Sequence, residues 1–286
     1  MKKGYLYIVA TPIGNLSDIS QRAIETLKSV TLIAAEDTRH SQRLLTALGI
    51  NNRLVSLHDH NERTRSNSLV SRMQAGEDVA LISDAGTPMI SDPGYHLVRA
   101  AQEVDVKVVP IPGPSAVVSA LSVSGLPANR FHFHGFLPEK KSARRAVLEG
   151  LVTMNVTLVF FESGKRIVSC LQDIGEILGL QREAVICREL TKLYESVGRD
   201  SVANLLADMS AGKLEQRGEF VLLIAGAKTA NDGFDEQLVR RLLSEFEGSL
   251  PAGKLAAAIS KAVGCPRKQV YQMVLELSLI HISEPT

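Results

Sequence analysis

Short apolar runs alternate with helix-like patterns along most of the chain. The first run extends from Tyr5 to Ala10 and ends in the turn TPIGN. A helix is predicted from about Ser20, whose hydroxyl can cap it. Four further runs predict strands at Thr31–Ala35, Leu54–Leu57, Val79–Ile82 and Lys107–Val109. This alternation is typical of an α/β protein with largely parallel strands.

A stretch dense in proline and glycine, from Pro110 to Pro114, predicts a boundary between two domains. Apolar runs at Thr157–Phe161, Ala184–Arg188 and Glu219–Ala225 predict further strands beyond it. A segment with four basic residues from Lys140 to Arg145 is expected to form a loop. We therefore predict two α/β domains, at residues 1–112 and 113–228.

The pattern changes again near the C-terminus. Residues 227–234 are expected to be a linker, and residues 235–276 to form three short helices. The last two helices are joined at Gly264-Cys265-Pro266 and resemble a helix-turn-helix, which could bind nucleic acid or simply pack as a helical cap. The final residues, 277–286 (LSLIHISEPT), are expected to leave the helical pattern. They resemble the translation of a sequencing-library adapter, so the natural end is expected to be missing after about Glu276.

Charge and cysteine content narrow the class of protein. Lysine and arginine number 32 against 31 acidic residues, a net charge of +1, which excludes a strongly basic arm that coats nucleic acid. The three cysteines, Cys170, Cys187 and Cys265, have the spacing of neither a disulfide framework nor a zinc site. The N-terminal apolar run is too short for a secretion signal, and no run approaches the length of a membrane span. We expect a cytoplasmic protein.

Four turns that follow predicted strands carry most of the candidate chemistry: TPIGN, AEDTRHS, HDHNE and SDAGTPMISDPG. Ligands of open α/β sheets bind at the carboxyl ends of strands, where these turns lie. Neither a GxGxxG fingerprint nor a P-loop is present, so a ligand without phosphates fits better. Backbone groups, apolar walls and a carboxylate such as Asp84 could bind S-adenosylmethionine. Asp84 could instead only cap its turn.

Nine motifs occur in a fixed order: VATPIGNLSDIS, AAEDTRHS, HDHNE, LISDAGTPMISDPG, PIPGPSA, GFLP, FFES, RELTKLYE and RGEFVLLI. Single motifs are weak, but the ordered set from about Tyr5 to Ala225 resembles the ribosomal RNA methyltransferases of the tetrapyrrole methylase superfamily. The resemblance implies two α/β domains with the cofactor cleft between them and a helix-turn-helix-like C-terminal segment. It also implies S-adenosylmethionine as cofactor and a homodimer.

The resemblance implies positions for the methyl donor as well. The first turn, the SDAGTP turn and the second half of the chain would contribute, with Asp84 and its neighbours holding the methionine end. The cofactor-binding residues implied are Pro12, Ile13, Gly14, Asp84, Gly86, Thr87, Pro88, Ser115, Ala116, Phe161, Glu162 and Gly218. The superfamily's more usual Gly-Asp-Pro string is SDAGTP here, as in the RNA-methylating subfamily, which argues against a corrin or porphyrin substrate.

The implied acceptor is the ribose 2′-hydroxyl of a cytidine in the decoding region of 16S rRNA in the small ribosomal subunit. A base near this hydroxyl would assist the transfer, and Asp37, His58, Asp59 and His60 are candidates by residue type and strand-end position. The sequence does not choose among them. Two histidines with no defined third ligand are weak support for a metal site, so we predict none.

Basic residues are the candidates for RNA phosphates. They are Arg39, Lys140, Lys141, Arg144, Arg145, Arg267 and Lys268. Each has a structural alternative: the group from Glu36 to Arg39 could be an ion-pair set at a helix start, and the basic run after Pro138 could be a solvated surface.

Two other functions stay open at this point. The same scaffold could methylate a tetrapyrrole or a modified protein of the diphthine type, although a small planar substrate needs neither the C-terminal helices nor the basic run. Alternatively, the chain could be a non-catalytic regulator that binds nucleic acid. The concentration of strand-end motifs between Thr11 and Ala116 argues against a pure binding module.

Overall fold

A computed structural model of the chain describes residues 2–227, 236–246 and 249–282. Its first sheet contains five parallel strands, in the spatial order β3-β2-β4-β1-β5. The strands are β1 (Tyr5–Val9), β2 (Leu32–Ala35), β3 (Leu54–Ser56), β4 (Val79–Ile82) and β5 (Lys107–Ile111). All five were predicted from the apolar runs.

Helices cover both faces of this sheet. They are α1 (Gln21–Ser29), α2 (Thr38–Ala47), α3 (Glu62–Gln74) and α4 (Tyr95–Glu103). Leu32 and Ala34 pack with α3 and α4, whereas Ile33 packs with α1 and α2 on the opposite face. The central strands are therefore buried on both faces, as their continuous apolar runs indicate. The Ser20 hydroxyl accepts a hydrogen bond from the N–H of Ala23, so the predicted helix cap is confirmed.

The second sheet also has five strands, in the order β6-β7-β10-β8-β9. They are β6 (Phe131–Phe136), β7 (Thr157–Ser163), β8 (Glu183–Arg188), β9 (Ser196–Ser201) and β10 (Glu219–Ile224). Only β6 and β7 are parallel, so the expectation of largely parallel strands is wrong for this half. The loop of residues 189–195 between β8 and β9 is too short for a parallel crossover, which needs a dozen or more residues.

Strand β9 was not predicted, because its sequence SVGRDS contains one apolar side chain and most of its residues are exposed. The helices of this half are α5 (Ala116–Ser124), α6 (Lys141–Glu149), α7 (Ile167–Leu178) and α8 (Val202–Ser210). Helix α6 replaces the expected basic loop, because Arg144 is buried in an ion pair with Asp173 of α7, at 2.7 Å. Both sheets belong to one compact unit, and the predicted limits 1–112 and 113–228 stay predictions.

The C-terminal helices form a separate unit with its own apolar core. They are α9 (Glu236–Glu245), α10 (Ala252–Val263) and α11 (Arg267–Ile282). Gly264 is left-handed, with φ of 71°, where α10 ends. The expectation that the helix ends near Glu276 is wrong, since α11 continues to Ile282 through a stretch free of glycine and proline. Most of the predicted linker, residues 228–234, and the end of the tail, residues 283–286, lie outside the described residues.

Within the part of the chain that the structure describes, no helix combines the length and the apolar character needed to cross a bilayer.

Candidate functional site

A cavity of about 450 Å³ lies between the carboxyl ends of the first sheet and the second sheet. The first sheet contributes residues from the turns after β1, β2 and β4, where open α/β sheets bind ligands. These are Ile13, Glu36, Asp84, Ala85, Ile90, Ser91 and Asp92. The second half contributes mainly apolar side chains, from α5, four strands and the loop of residues 189–195. These are Ala116, Phe136, Phe161, Glu162, Ser163, Cys187, Leu190, Lys192, Glu219, Phe220 and Val221. We call this cavity the cleft.

Three carboxyl groups of the first sheet line the cleft: Glu36, Asp84 and Asp92. Burial, together with the negative charges of Asp92, Asp84, Asp59 and Asp37, raises the pKa of Glu36 to about 7. Burial also raises the pKa of Asp92 to about 6, because its effect is larger than that of a hydrogen bond from Ser83, which lowers the pKa. Crowded carboxylates favour a bound proton or a bound cation. The carboxylates on the first-sheet side of the cleft can therefore bind a positively charged ligand or accept a proton.

The glycine-containing turns shape the cleft by backbone pairing. Thr11 and Gly86 exchange backbone hydrogen bonds of 2.8 and 3.0 Å, and Gly86 has φ of 80°. The Thr87 hydroxyl donates to the carbonyl of Pro114 at 3.2 Å, which ties the SDAGTP turn to the PIPGPSA turn. These bonds hold the turns after β1, β4 and β5 against one another.

A β-carbon on Gly14 would overlap Cγ of Lys192 and would lie 2.9 Å from Oγ1 of Thr191. The loop of residues 189–195 therefore packs closely on the TPIGN turn. Glu189 and Thr191 have positive φ of 51° and 66°, uncommon for residues with side chains. The sequence motif RELTKLYE, for which no role could be derived from sequence, forms this loop.

Lys192 anchors the loop beside the cleft. Its ammonium donates to Glu219 at 2.8 Å and to Glu189 at 3.0 Å. Burial disfavours the charged ammonium, but the hydrogen bonds to Glu219 and Glu189 outweigh burial and raise the pKa of Lys192. Lys192 therefore stays charged next to the acidic residues of the cleft.

The structure brings five of the predicted cofactor residues into the wall of the cleft: Ile13, Asp84, Ala116, Phe161 and Glu162. Glu162 is buried and forms an ion pair with Arg166, whose nearest nitrogen lies 3.3 Å from the carboxylate. The orientation of the two groups is not that of a hydrogen bond. The other seven do not line this cavity: Pro12, Gly14, Gly86, Thr87, Pro88, Ser115 and Gly218. Gly218 lines a neighbouring open hollow that shares Ser163 with the cleft.

None of the four candidate bases lines the cleft. The Asp37 carboxylate accepts hydrogen bonds from the N–H groups of Arg39 and His40, which cap α2 and lower the pKa of Asp37. The backbone N–H of His58 donates a hydrogen bond to Oδ1 of Asn61 at 3.0 Å, and Nδ2 of Asn61 lies 3.1 Å from Nε2 of the His58 ring. The centroids of the His58 and His60 rings are 6.0 Å apart. Asp59 acts on the cleft only through its charge near Glu36 and Asp92.

Glu62, in the same HDHNE motif, is buried and accepts hydrogen bonds from Gly94 and His96 at the start of α4. Among the described residues, no group of three or more His, Cys, Asp or Glu side chains is arranged to bind a metal ion.

Sequence reasoning missed Glu36 as a candidate base, although its pKa is raised to about 7 in the cleft. Its signal was its position directly after β2, beside Asp37. Neighbouring residues of an extended chain point to opposite sides, so only one of the two can face the cleft. Cys187 also lines the cleft, but burial and the charge of Glu195 raise its pKa to about 12, so it stays a neutral thiol.

The basic run after Pro138 is partly engaged in ion pairs within the fold. Arg144 is 4% exposed and binds Asp173 and the carbonyls of Pro138 and Glu139. Arg145 pairs with Asp173 and Glu176, and Lys141 lies 3.7 Å from Asp173. We therefore withdraw Arg144 as an RNA contact, because its guanidinium is enclosed.

The remaining basic candidates differ in setting. Lys140 is exposed just before α6, and Arg39 is exposed on α2. In the C-terminal unit, Arg267 donates to the carbonyl of Gly253 at 3.2 Å, and Lys268 is exposed in the first turn of α11.

The family model of Tetrapyrrole (Corrin/Porphyrin) Methylases matches residues 5–206. The chain is 46% identical over 274 residues to Ribosomal RNA small subunit methyltransferase I of Escherichia coli O157:H7, covering 96% of each chain. It is 47% identical over 268 residues to the protein of that name from Xylella fastidiosa (strain Temecula1 / ATCC 700964), covering 94% of this chain and 98% of that one.

A solved structure extends the comparison. Uroporphyrin-III C-methyl transferase from Thermus thermophilus, complexed with S-adenyl homocysteine, is similar with a TM-score of 0.55 at 18% identity. The match covers 78% of this chain and 97% of that one. At this identity it supports the fold alone, including the two α/β halves that were predicted. The chain belongs to the tetrapyrrole methylase family and, within it, to the group of ribosomal RNA small subunit methyltransferases I.

Proposed function

We propose that the protein is an S-adenosylmethionine-dependent methyltransferase that acts on the 2′-hydroxyl of a cytidine ribose in the decoding region of 16S rRNA. The observation that carries this proposal is the cleft, in which crowded carboxylates face an apolar wall. Sequence similarity over nearly the full length to relatives named for ribosomal RNA methylation supports the RNA substrate.

The cleft fits the methyl donor in size and chemistry. Its volume lies within the range of roughly 300–1,000 Å³ that is usual for small-molecule sites. Asp84 would hold the ammonium of the methionine end, and the rings of Phe136 and Phe161, 5.6 Å apart, would flank the adenosine. Bound S-adenosylmethionine supplies a methyl group attached to a sulfonium. The negative charge of Glu36 and Asp92 favours such a cation.

The work of the protein residues is alignment and removal of a proton. When bound, the donor would supply the methyl group, and transfer of this group from sulfur to the ribose oxygen would release S-adenosylhomocysteine. The proton of the 2′-hydroxyl must then pass to a base. We assign this role to Glu36, because it faces the cleft and its pKa of about 7 suits proton transfer near neutral pH. Asp37, His58, Asp59 and His60 stay weaker candidates.

We also infer a homodimer that works in the cytoplasm, on the basis of the family resemblance. Sedimentation of the purified protein checks the first part: a monomer at micromolar concentration would contradict it.

Methyl transfer to ribosomal subunits tests the main proposal. Small subunits from cells that lack the homologue are incubated with the protein and a labelled donor, and the labelled nucleotide is mapped. We expect label on the ribose of one cytidine in the decoding region. Label on a base, on a protein or on an added tetrapyrrole would overturn the assignment. Glu36→Gln should transfer little label, whereas Glu25→Gln, on the exposed side of α1, is the matched control.

A further inference from the structure

Helix α2 carries two exposed arginines on one face. Arg39 and Arg43 lie four residues apart, one turn along the helix. They line an open groove of about 900 Å³, the α2 groove. Its other lining residues carry no charge: Thr38, Gln42, Thr46, Ala47 and Leu54.

The two guanidinium groups have no direct partner in the described part of the chain, although the nearby charges of Arg39 and Asp37 act on each other without contact. Within the described residues, neither Arg39 nor Arg43 forms a side-chain hydrogen bond or an ion pair, and no carboxylate lines the groove. The nearest acid in sequence, Asp37, already accepts hydrogen bonds from two backbone N–H groups at the start of α2. Two positive charges therefore face the same solvent-filled groove.

The basic run after Pro138, which the sequence had suggested for RNA binding, differs from the α2 groove because its side chains lie beside a carboxylate. Arg144, Arg145 and Lys141 all lie close to Asp173 of α7. Asp173, together with Glu176 beside Arg145, offsets part of this positive charge within the fold. Paired arginines stabilise α6 against α7, whereas unpaired ones on one helix face are available to an external anion.

The residues that line the α2 groove begin shortly after a residue of the cleft in the sequence. Helix α2 begins at Thr38, which lines the groove, only two residues after Glu36, which lines the cleft. The Gln42 amide and the Thr46 hydroxyl lie one turn apart and 3.4 Å from each other, so the groove also offers uncharged donors and acceptors. An extended polyanion whose reacting sugar enters the cleft would have its neighbouring linkages within reach of this surface.

We propose that the α2 groove binds the phosphodiester backbone of the RNA strand beside the nucleotide that is methylated. This inference rests on the proposed function, since it takes RNA as the acceptor. Each guanidinium would donate hydrogen bonds to phosphate oxygens, a geometry that the planar group favours. Such contacts position the strand without distinguishing its bases.

The test compares Arg39→Gln/Arg43→Gln with the wild type in binding to small ribosomal subunits from cells that lack the homologue. We expect the dissociation constant to rise about tenfold at physiological salt. The slope of log affinity against log salt should fall by roughly one unit for each lost phosphate contact. Affinity for S-adenosylhomocysteine and the melting temperature should stay unchanged, because both side chains are exposed and make no contact with the cleft.

The matched control is Arg99→Gln/Lys213→Gln, which removes the same net charge. Arg99 is on α4, on the opposite face of the first sheet, and Lys213 follows α8. An equal loss of affinity in this control would show a general charge effect and overturn the proposal. Unchanged affinity and slope in the α2 variant would overturn it as well, as would a change only in the oligomeric state, which would make the groove a contact between copies.

The two proposals can fail separately. Wild-type protein that binds subunits but transfers no methyl group contradicts the proposed function, while the binding comparison still decides the role of the groove. Wild-type protein that methylates the ribose, with the α2 variant binding equally well, contradicts only the groove. Wild-type protein that does not bind the subunits overturns both.

Discussion

The backbone N–H of Asp37 donates a hydrogen bond to the carboxylate of Asp84, with 3.1 Å between nitrogen and oxygen. This bond joins the ends of β2 and β4, and it orients the carboxylate that is proposed to hold the methionine end of the donor. Because the donor of this bond is a backbone group, the side chain of Asp37 stays free to cap α2.

Asp84→Ala should weaken donor binding, because it removes a charged partner of the ammonium from the cleft. Hydrogen bonds to charged groups contribute about 1.5–3 kcal/mol, which corresponds to a loss of roughly ten- to a hundredfold. Calorimetric titration with S-adenosylhomocysteine measures the change. Asp105→Ala, an exposed acid on the surface, is the control. Unchanged affinity in Asp84→Ala would remove this residue from the donor site.

The rate of methyl transfer should rise with pH through about 7 and then level off. The pKa of Glu36 is raised, so its carboxyl group is protonated below this range and accepts a proton only above it. Glu36→Gln should lower the rate by roughly 10²–10⁴-fold and abolish this inflection. Affinity for S-adenosylhomocysteine, which lacks the sulfonium charge, should stay nearly unchanged. Single-turnover rates between pH 5.5 and 9 provide the measurement. An inflection that persists in Glu36→Gln belongs to another group.

The same substitution should stabilise the fold at alkaline pH. A carboxyl group whose folded pKa lies above its unfolded value, here about 7 against 4.5, destabilises the folded state once it ionises. The wild type should therefore lose stability relative to Glu36→Gln as the pH rises from 4.5 through 7. Melting temperatures of both proteins at pH 5 and pH 8.5 test this. If the difference in melting temperature between the two proteins is the same at both pH values, the pKa of Glu36 is not raised in the folded state.

Gly14→Ala should displace the loop of residues 189–195, since the new β-carbon would overlap Lys192 and Thr191. We expect weaker donor binding and a lower melting temperature. Gly150→Ala is the control, because its β-carbon would meet its neighbours at ordinary distances of 3.4 Å or more. Gly14→Ala should cost less melting temperature in a Lys192→Ala background than in the wild type, because Cγ of Lys192 is then absent. Additive losses in the double variant would contradict this close packing.

Asp173→Ala should destabilise the protein strongly, because it leaves the buried Arg144 without its carboxylate. Breaking one side of a buried ion pair typically destabilises by about 3–5 kcal/mol. Arg145→Ala, at a more exposed position, should change stability by about 1 kcal/mol or less. Urea unfolding gives both values. A mild effect of Asp173→Ala together with a large loss of RNA affinity would restore these arginines as RNA contacts.

The sequence determined the family and most of the elements, with the exception of β9 and α6. Continuous apolar runs predicted the five parallel strands of the first sheet. The turn motifs after them indicated the family and predicted a ligand site at the carboxyl ends of these strands. Five of the donor-site residues implied by that resemblance line the cleft. These features could be predicted because they depend on local periodicity and on the order of motifs along the chain.

Only the tertiary structure decided how side chains far apart in sequence pair and face one another. Arg144 and Asp173 are 29 residues apart, and their ion pair turned a predicted RNA contact into a structural one. The selection of Glu36 over Asp37 depends on the direction of a side chain at the end of β2 and on the burial of several carboxyl groups together. Charge and burial are properties of the assembled surroundings of a residue, and the linear pattern of residue types does not contain them.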